Sequence, residues 1–284
     1  MLFKRGFSDK RGQLTTFIIL AIVIIALGVL VSLFWPKISG YFMNEDQASS
    51  MLASQSESLR TSVSDCTKEV STDIIERIGL QAGFYDYSHL YSINFAGPKV
   101  VVMFKDVNKN RVNKLPTTTE ISNEFKKAME EEGYARIDAC LNDFSGFKRN
   151  MDVVPGERKI TLSIEDEKAI ISVDWPITVS KQTVSTTITQ QLKQNDVQLL
   201  IPFGRIWKVA NDIVNTEVQQ KNFIDELDNY ILTHTYSLAY TRLNSQNYPT
   251  DRKTVYYLTS IPYREGEKEF KFYFAVDREE YKFI

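Results

Sequence analysis

The apolar positions of this chain fall into three kinds of pattern. From Leu14 to Trp35 the sequence LTTFIILAIVIIALGVLVSLFW runs for 22 residues without a charge. Crossing a hydrocarbon core of ~30 Å takes ~20 helical residues, so the run predicts one transmembrane helix over 14–35. A cleaved secretory segment is shorter and ends in small residues, whereas here Leu33, Phe34 and Trp35 precede Pro36 and Lys37. The second pattern is helical: Leu52, Leu59, Val63, Cys66, Val70, Ile74 and Ile78 recur mainly at threes and fours, predicting a long helix over 44–79 with Gly79 and Gly83 as stop signals. Ser and Gln dilute its stripe, so it is expected to pack on its own domain, with self-association through this helical stalk as the alternative.

The third pattern is alternation. Val100 to Phe104 reads as a buried strand, and the segments Lys159–Glu165 and Lys168–Val173 flank Asp166 and Glu167 as a hairpin. Residues 175–179 and 184–189 extend that sheet. Strands over 255–260 and 269–276 close the chain, the last placing Phe270, Phe272, Phe274 and Val276 on one face. Thr117 followed by Glu120 is a capping box that opens a helix to about Leu141, with Ile121, Phe125, Ala128 and Met129 on one side. Further helices are predicted over 203–218 and 221–243. Helices and strands are segregated, so the expected class is α+β: one N-terminal transmembrane helix, a long helical stalk, and an antiparallel sheet with packed helices.

Charge sets the orientation of such a chain. Lys4, Arg5, Lys10 and Arg11 precede the apolar run, and Lys37, Glu45 and Asp46 follow it, which predicts a cytoplasmic N-terminus. The expected division is a basic tail over 1–13, the span over 14–35, a linker over 36–43 and an extracytoplasmic domain over 44–284. The expected localisation is the cell membrane, single-pass. Net charge is only −2, which leaves no broad basic surface for nucleic acid. The partners expected are the lipid bilayer, a protein or glycan outside the cell, and a second copy through the stalk.

The segment Lys10-Arg11-Gly12-Gln13-Leu14-Thr15-Thr16-Phe17 resembles the prepilin-type signal of archaeal type IV pilin-like proteins. The resemblance covers about 25 residues and implies a processing site between Gly12 and Gln13. It departs at Phe17, where pilins carry an acid that pairs with a neighbour's amino terminus. The remainder resembles uncharacterised membrane-anchored archaeal surface proteins.

Candidate chemistry is sparse. Cys66 and Cys140, on the oxidising side by the expected topology, are predicted to form a disulfide. The two histidines, His89 and His234, lack zinc-site spacing with the cysteines. Asp106, Asn108 and Asn110 alternate as in a calcium loop, but Arg111 occupies the glycine position and a turn explains them. Glu165, Asp166 and Glu167 read as solvated turn charges. Phosphate-loop, HExxH and GxSxG patterns do not occur. The loop containing Tyr85, Tyr87, His89 and Tyr91 is the candidate ligand-binding loop, because aromatics with polar tips suit sugar or peptide. The functional expectation is a non-enzymatic surface binding or envelope component without a cofactor, with a pilin-like filament subunit as the alternative and an enzyme third.

Overall fold

The structure is a computed structural model that describes residues 18–32, 45–94, 99–104, 112–183, 185–219, 230, 241–248 and 253–277. Helix α1 is described over 18–32, within the apolar run. Among the described residues no helix is long and apolar enough to cross a membrane. The expected fold class and the single-pass membrane localisation are therefore corrected on this point. The tail, the linker over 36–43, both ends of the expected span and the Gly12–Gln13 site lie outside the described residues, as do His234 and the Asp106–Asn110 turn.

Helix α2 (Glu45–Leu80) is 36 residues long and buries one stripe from Ala48 through Leu52, Leu59, Val63, Val70 and Ile74 to Ile78. Glu45 and Asp46 in the first turn and Arg77 in the last complement the helix dipole. The helix does not end at Gly79. It closes at Ala82, which takes a left-handed φ of 57°, with the Gly83 N–H donating to the Ile78 carbonyl at 2.8 Å. Gly79 is instead a close-approach site, where a Cβ would run into the Lys271 carbonyl and the Phe270 ring.

Thr117 and Glu120 form the capping box: the Glu120 N–H donates to Thr117 Oγ1 at 3.2 Å and the Thr117 N–H donates to Glu120 Oε2 at 2.7 Å. The helix it opens is α3 (Thr118–Ala128), which passes through a π-turn (Met129–Gly133) into α4 (Tyr134–Cys140). This continuous helix packs against α2. A short helix α5 (Ser145–Lys148) precedes the first of two strand systems.

Strands β3 (Asp152–Pro155), β6 (Ile177–Gln182) and β7 (Thr187–Leu192) form one antiparallel sheet. Strands β4 (Lys159–Ile164), β5 (Ala169–Asp174) and β8 (Val197–Leu199) form another. The chain runs from β3 into β4, back from β5 into β6, and from β7 into β8. The two sheets are thus one meander of three long strands with a break across its middle. Trp175, expected within a strand, lies in that break.

The other sheet has five strands in the order β1 (Ser92–Asn94), β2 (Lys99–Phe104), β11 (Lys271–Asp277), β10 (Lys253–Ser260), β9 (Thr241–Tyr248). It is mixed, because β2 runs parallel to β11, and this corrects the expectation of a purely antiparallel sheet. The helix expected over 221–243 is corrected at its end, where Thr241 begins β9; of the remainder only Tyr230 is described, and it is helical. Phe270, Phe272, Phe274 and Val276 share the face that packs on the main core, while Val100, Val102, Val255 and Ala275 form a smaller cluster opposite. Helix α6 (Phe203–Gln219) lies on β10 and β11, with Phe203 between Phe270 and Phe272 at ring distances of 4.7 and 6.1 Å. Its start is fixed by the β4–β5 hairpin: the Gly204 and Arg205 N–H groups donate to the Glu165 and Asp166 carbonyls at 3.1 and 3.2 Å.

A disulfide joins Cys66 of α2 to the last residue of α4, with Cα atoms 5.9 Å apart and a sequence separation of 74. Closing a loop of that length removes chain entropy from the unfolded state, worth about 4 kcal/mol. Replacing both cysteines with serine is expected to lower the urea-unfolding free energy by about 2–4 kcal/mol. Urea titration of both proteins checks this, and equal midpoints with equal slopes would show that the bond braces nothing.

Candidate functional site

The break in the three-stranded meander is written into the sequence at Trp175-Pro176. Pro176 has no N–H to give to a neighbouring strand, so a central strand cannot continue through it with its ladder intact. On one side, pairing stops at Pro155 opposite Ile177 and resumes at Lys159 opposite Asp174, four residues against three. On the other side it stops at Leu192 opposite Ile177 and resumes at Val197 opposite Ile171, five against six. Each neighbour is therefore out of step by one residue, as in a β-bulge. Gly156 holds the closest point: its N–H donates to the Pro176 carbonyl at 2.8 Å, and a Cβ there would lie 2.8 Å from the same oxygen.

Trp175 is 2% exposed at the centre of this break. Phe144 lies against it at 5.8 Å between ring centroids, tilted, and the Arg158 guanidinium sits 4.8 Å from its ring centroid and 4.7 Å from that of Tyr134. Both Arg158 terminal nitrogens donate to Asp138, Nη1 to Oδ1 at 2.7 Å and Nη2 to Oδ2 at 2.6 Å, a two-point contact that fixes the guanidinium plane.

Two clefts meet at Trp175. The larger, about 420 Å³, lies between the β5–β6 corner and the β7–β8 link, lined among others by Asp174, Gln191, Lys193, Gln194 and Asp196. The smaller, about 230 Å³, lies on the α4–α5 side and is lined by Asp138, Asp143, Phe144, Lys148 and Arg158. The second cleft borders a strained turn: Asn142, Asp143 and Phe144 all take positive φ, at 48°, 48° and 61°. Left-handed non-glycine residues cost about 1–3 kcal/mol each and persist only where their surroundings over-determine them.

The polar groups at the break are not all satisfied. The Trp175 indole Nε1 is shut from water and has no hydrogen-bond partner among the described residues. The same is true of both amide atoms of Gln194, a half-buried residue whose polar end is turned inward. Leaving a buried donor or acceptor unmade costs about 1–3 kcal/mol, so three such atoms around one cleft are an unusual concentration. By contrast, the Trp207 indole N–H donates to the Pro116 carbonyl at 2.8 Å.

The tyrosine loop is divided. The Tyr85 N–H donates to Glu124 Oε2 at 3.0 Å, its ring lies 5.0 Å from the Arg77 guanidinium, and Tyr85 and Tyr87 pack on the core. His89 and Tyr91 face outward, with Lys253 Nζ 5.1 Å from the Tyr91 ring centroid. Between them Asp86 is held well below the usual carboxylate range, first by hydrogen bonds from the Ser88 hydroxyl and N–H and then by Lys127 Nζ at 3.1 Å. The acid trio also has a structural task beyond that of solvated turn charges. Asp166 pairs with Lys208 at 2.6 Å and Glu167 lies 3.8 Å from Arg205, seating the hairpin on α6. Sequence reasoning passed over Trp175, Gln194 and the Asn142–Phe144 turn; the Trp-Pro step between two alternating runs was the available signal for the break.

No family model, curated protein or solved structure matches this chain.

Two outcomes follow from this geometry. Because the folded-state pKa of Asp86 is depressed, its contribution to stability is present above the unfolded value of about 3.9 and is lost as pH falls through the folded value. The stability difference between wild type and Asp86→Asn, measured by urea unfolding, is expected to be constant from pH 7 to about pH 5 and to shrink below about pH 4; a difference that grows in acid would contradict the hydrogen bonding described. Gln194→Leu removes two unpaired polar atoms at nearly constant volume, so it is expected to leave stability unchanged or to raise it by about 1 kcal/mol. A loss above about 1 kcal/mol in the same assay would mean that the amide is satisfied in the free protein.

Proposed function

We propose that this protein is a non-enzymatic binding protein that takes a small polar ligand in the cleft between the β5–β6 corner and the β7–β8 link. The observation that carries the reading is the Trp175 indole N–H, buried and without an acceptor beside a cleft of about 420 Å³. Small-molecule sites occupy about 300–1,000 Å³ and combine apolar walls with a few fixed polar groups. Val173, Trp175 and Pro176 supply the walls here, and Gln194 supplies an amide with both atoms unpartnered. The frame is rigid on two sides: Arg158 and Asp138 clamp the Trp175 ring, and the disulfide ties α4 to α2. A rigid frame with unmet hydrogen bonds at its centre suits recognition, since little ordering remains to oppose binding.

The test is to follow the indole N–H resonances of the full chain labelled with nitrogen-15 while adding small alcohols, amides, carboxylates and amines at about 10 mM. At least one class is expected to shift the Trp175 resonance and leave that of Trp207 in place, because Trp207 already has its acceptor. If every class leaves Trp175 unmoved, or moves both resonances alike, the cleft is not a binding site.

A further inference from the structure

Resting on the binding reading above, the geometry points to a neutral saccharide as the ligand of the larger cleft, with Gln194 and Trp175 as its inner hydrogen-bonding groups. The Trp175 N–H can only donate, so the ligand must bring an acceptor to it. Gln194 Nε2 can only donate and Oε1 can only accept, so beside it the ligand must offer both functions. Farther out stand the carboxylates of Asp174 and Asp196, which when ionised only accept, together with the Gln191 amide and the Lys193 ammonium.

Charge narrows the choice. Two carboxylates against one ammonium give the cleft a net negative lining, which disfavours phosphates and carboxylic acids. Trp175 Nε1 and Gln194 Nε2 are both donors without an acceptor, and Lys193 adds a full positive charge, so a cation finds no closed cage. A neutral ligand remains.

Hydroxyl groups fit this lining better than amides do. Each hydroxyl both donates and accepts, so adjacent hydroxyls on a ring can return an O–H to Gln194 Oε1, take the N–H of Nε2, and still place an oxygen on Trp175 Nε1. The remaining hydroxyls donate to Asp174 and Asp196. A peptide has one N–H for each carbonyl, and its surplus acceptors would face two carboxylates. The ring of Trp175 is covered by Arg158 and Phe144, so recognition runs through its edge and not through stacking.

The inner atoms lie behind the present cleft surface, closed to water. Gln194 belongs to the link between β7 and β8, which takes part in no strand pairing, so its side chain can turn toward a ligand without breaking the ladder. Binding therefore includes a local rearrangement of Gln194.

The experiment is isothermal titration of the full chain with three probes, namely the neutral disaccharide trehalose, a blocked dipeptide amide, and inorganic phosphate, with indole resonances followed in parallel. Trehalose is expected to bind saturably below about 100 mM, to shift Trp175 alone, and to weaken at least about tenfold in Gln194→Leu and in Asp174→Asn. A folded Gln194→Leu protein that binds trehalose as wild type does would overturn the assignment of the inner groups. Binding of the peptide or of phosphate in place of trehalose at the same Trp175 resonance would overturn the saccharide class and leave the binding reading standing. Silence from all three probes and from the broader panel would end both.

Discussion

The buried stripe of α2 is the surface on which the other layers are laid down. Its early turns meet the three-stranded meander, with the Ser185 hydroxyl donating to Glu45 Oε1 at 2.9 Å and the Ser56 hydroxyl to Gln190 Oε1 at 3.3 Å. Its middle is bolted to α4 through Cys66, and its last turns pack under β11. Two glycines set how closely the layers approach. At Gly79 the Phe270 ring and the Lys271 backbone occupy the space of a side chain, and at Gly133 Met129 and Ile74 do so. A larger residue at Gly79 would have to push β11 off the helix, a displacement that close-packed interiors resist, whereas at Gly133 the Met129 side chain would have to move.

A helix laid along two strand systems also explains where strain collects. The meander must follow α2 while its central strand carries Trp175-Pro176, and it yields at that step with one residue out of register on each side. The gap is then closed by side chains rather than by ladder bonds: Arg158 lies over both rings and holds Asp138, and Phe144 packs against the indole. Folds tend to break local rules where function resides, because stability alone would remove the conflict. Unmet hydrogen bonds at Trp175 and Gln194 and left-handed backbone at Asn142–Phe144 are conflicts of that kind, gathered around one indole.

Much of the scaffold was legible because single elements announce themselves locally. The Thr117–Glu120 box needs only four residues, the alternating phenylalanines of β11 need only a period of two, and the helical spacing from Leu52 to Ile78 survives its serines. What was not legible depends on partners distant in sequence. The parallel pairing of β2 with β11 joins residues more than 170 positions apart, with no local signature. The apolar run over 14–35 reads as a span by composition, yet among the described residues no helix is long and apolar enough to cross a membrane. Gly79 looked like a stop signal because glycine ends helices, while its observed use is to admit Phe270. The cleft was invisible for a related reason: Gln194 is unremarkable until its amide is seen facing inward with nothing to bond.

The strained turn and the disulfide belong to one argument. A run of left-handed residues relaxes unless both its ends are held, since each can fall to a lower backbone well when the chain is free to swing. Here the leading end is held two residues away by the Cys140 bond to α2, and the trailing end is held where β3 enters the sheet opposite Ser180. Within the turn, Asn142 Nδ2 donates to the Ser145 hydroxyl at 2.7 Å, and Phe144 is pinned against Trp175. The covalent tie to α2 thus fixes, two residues upstream, the backbone that places Phe144 against the indole.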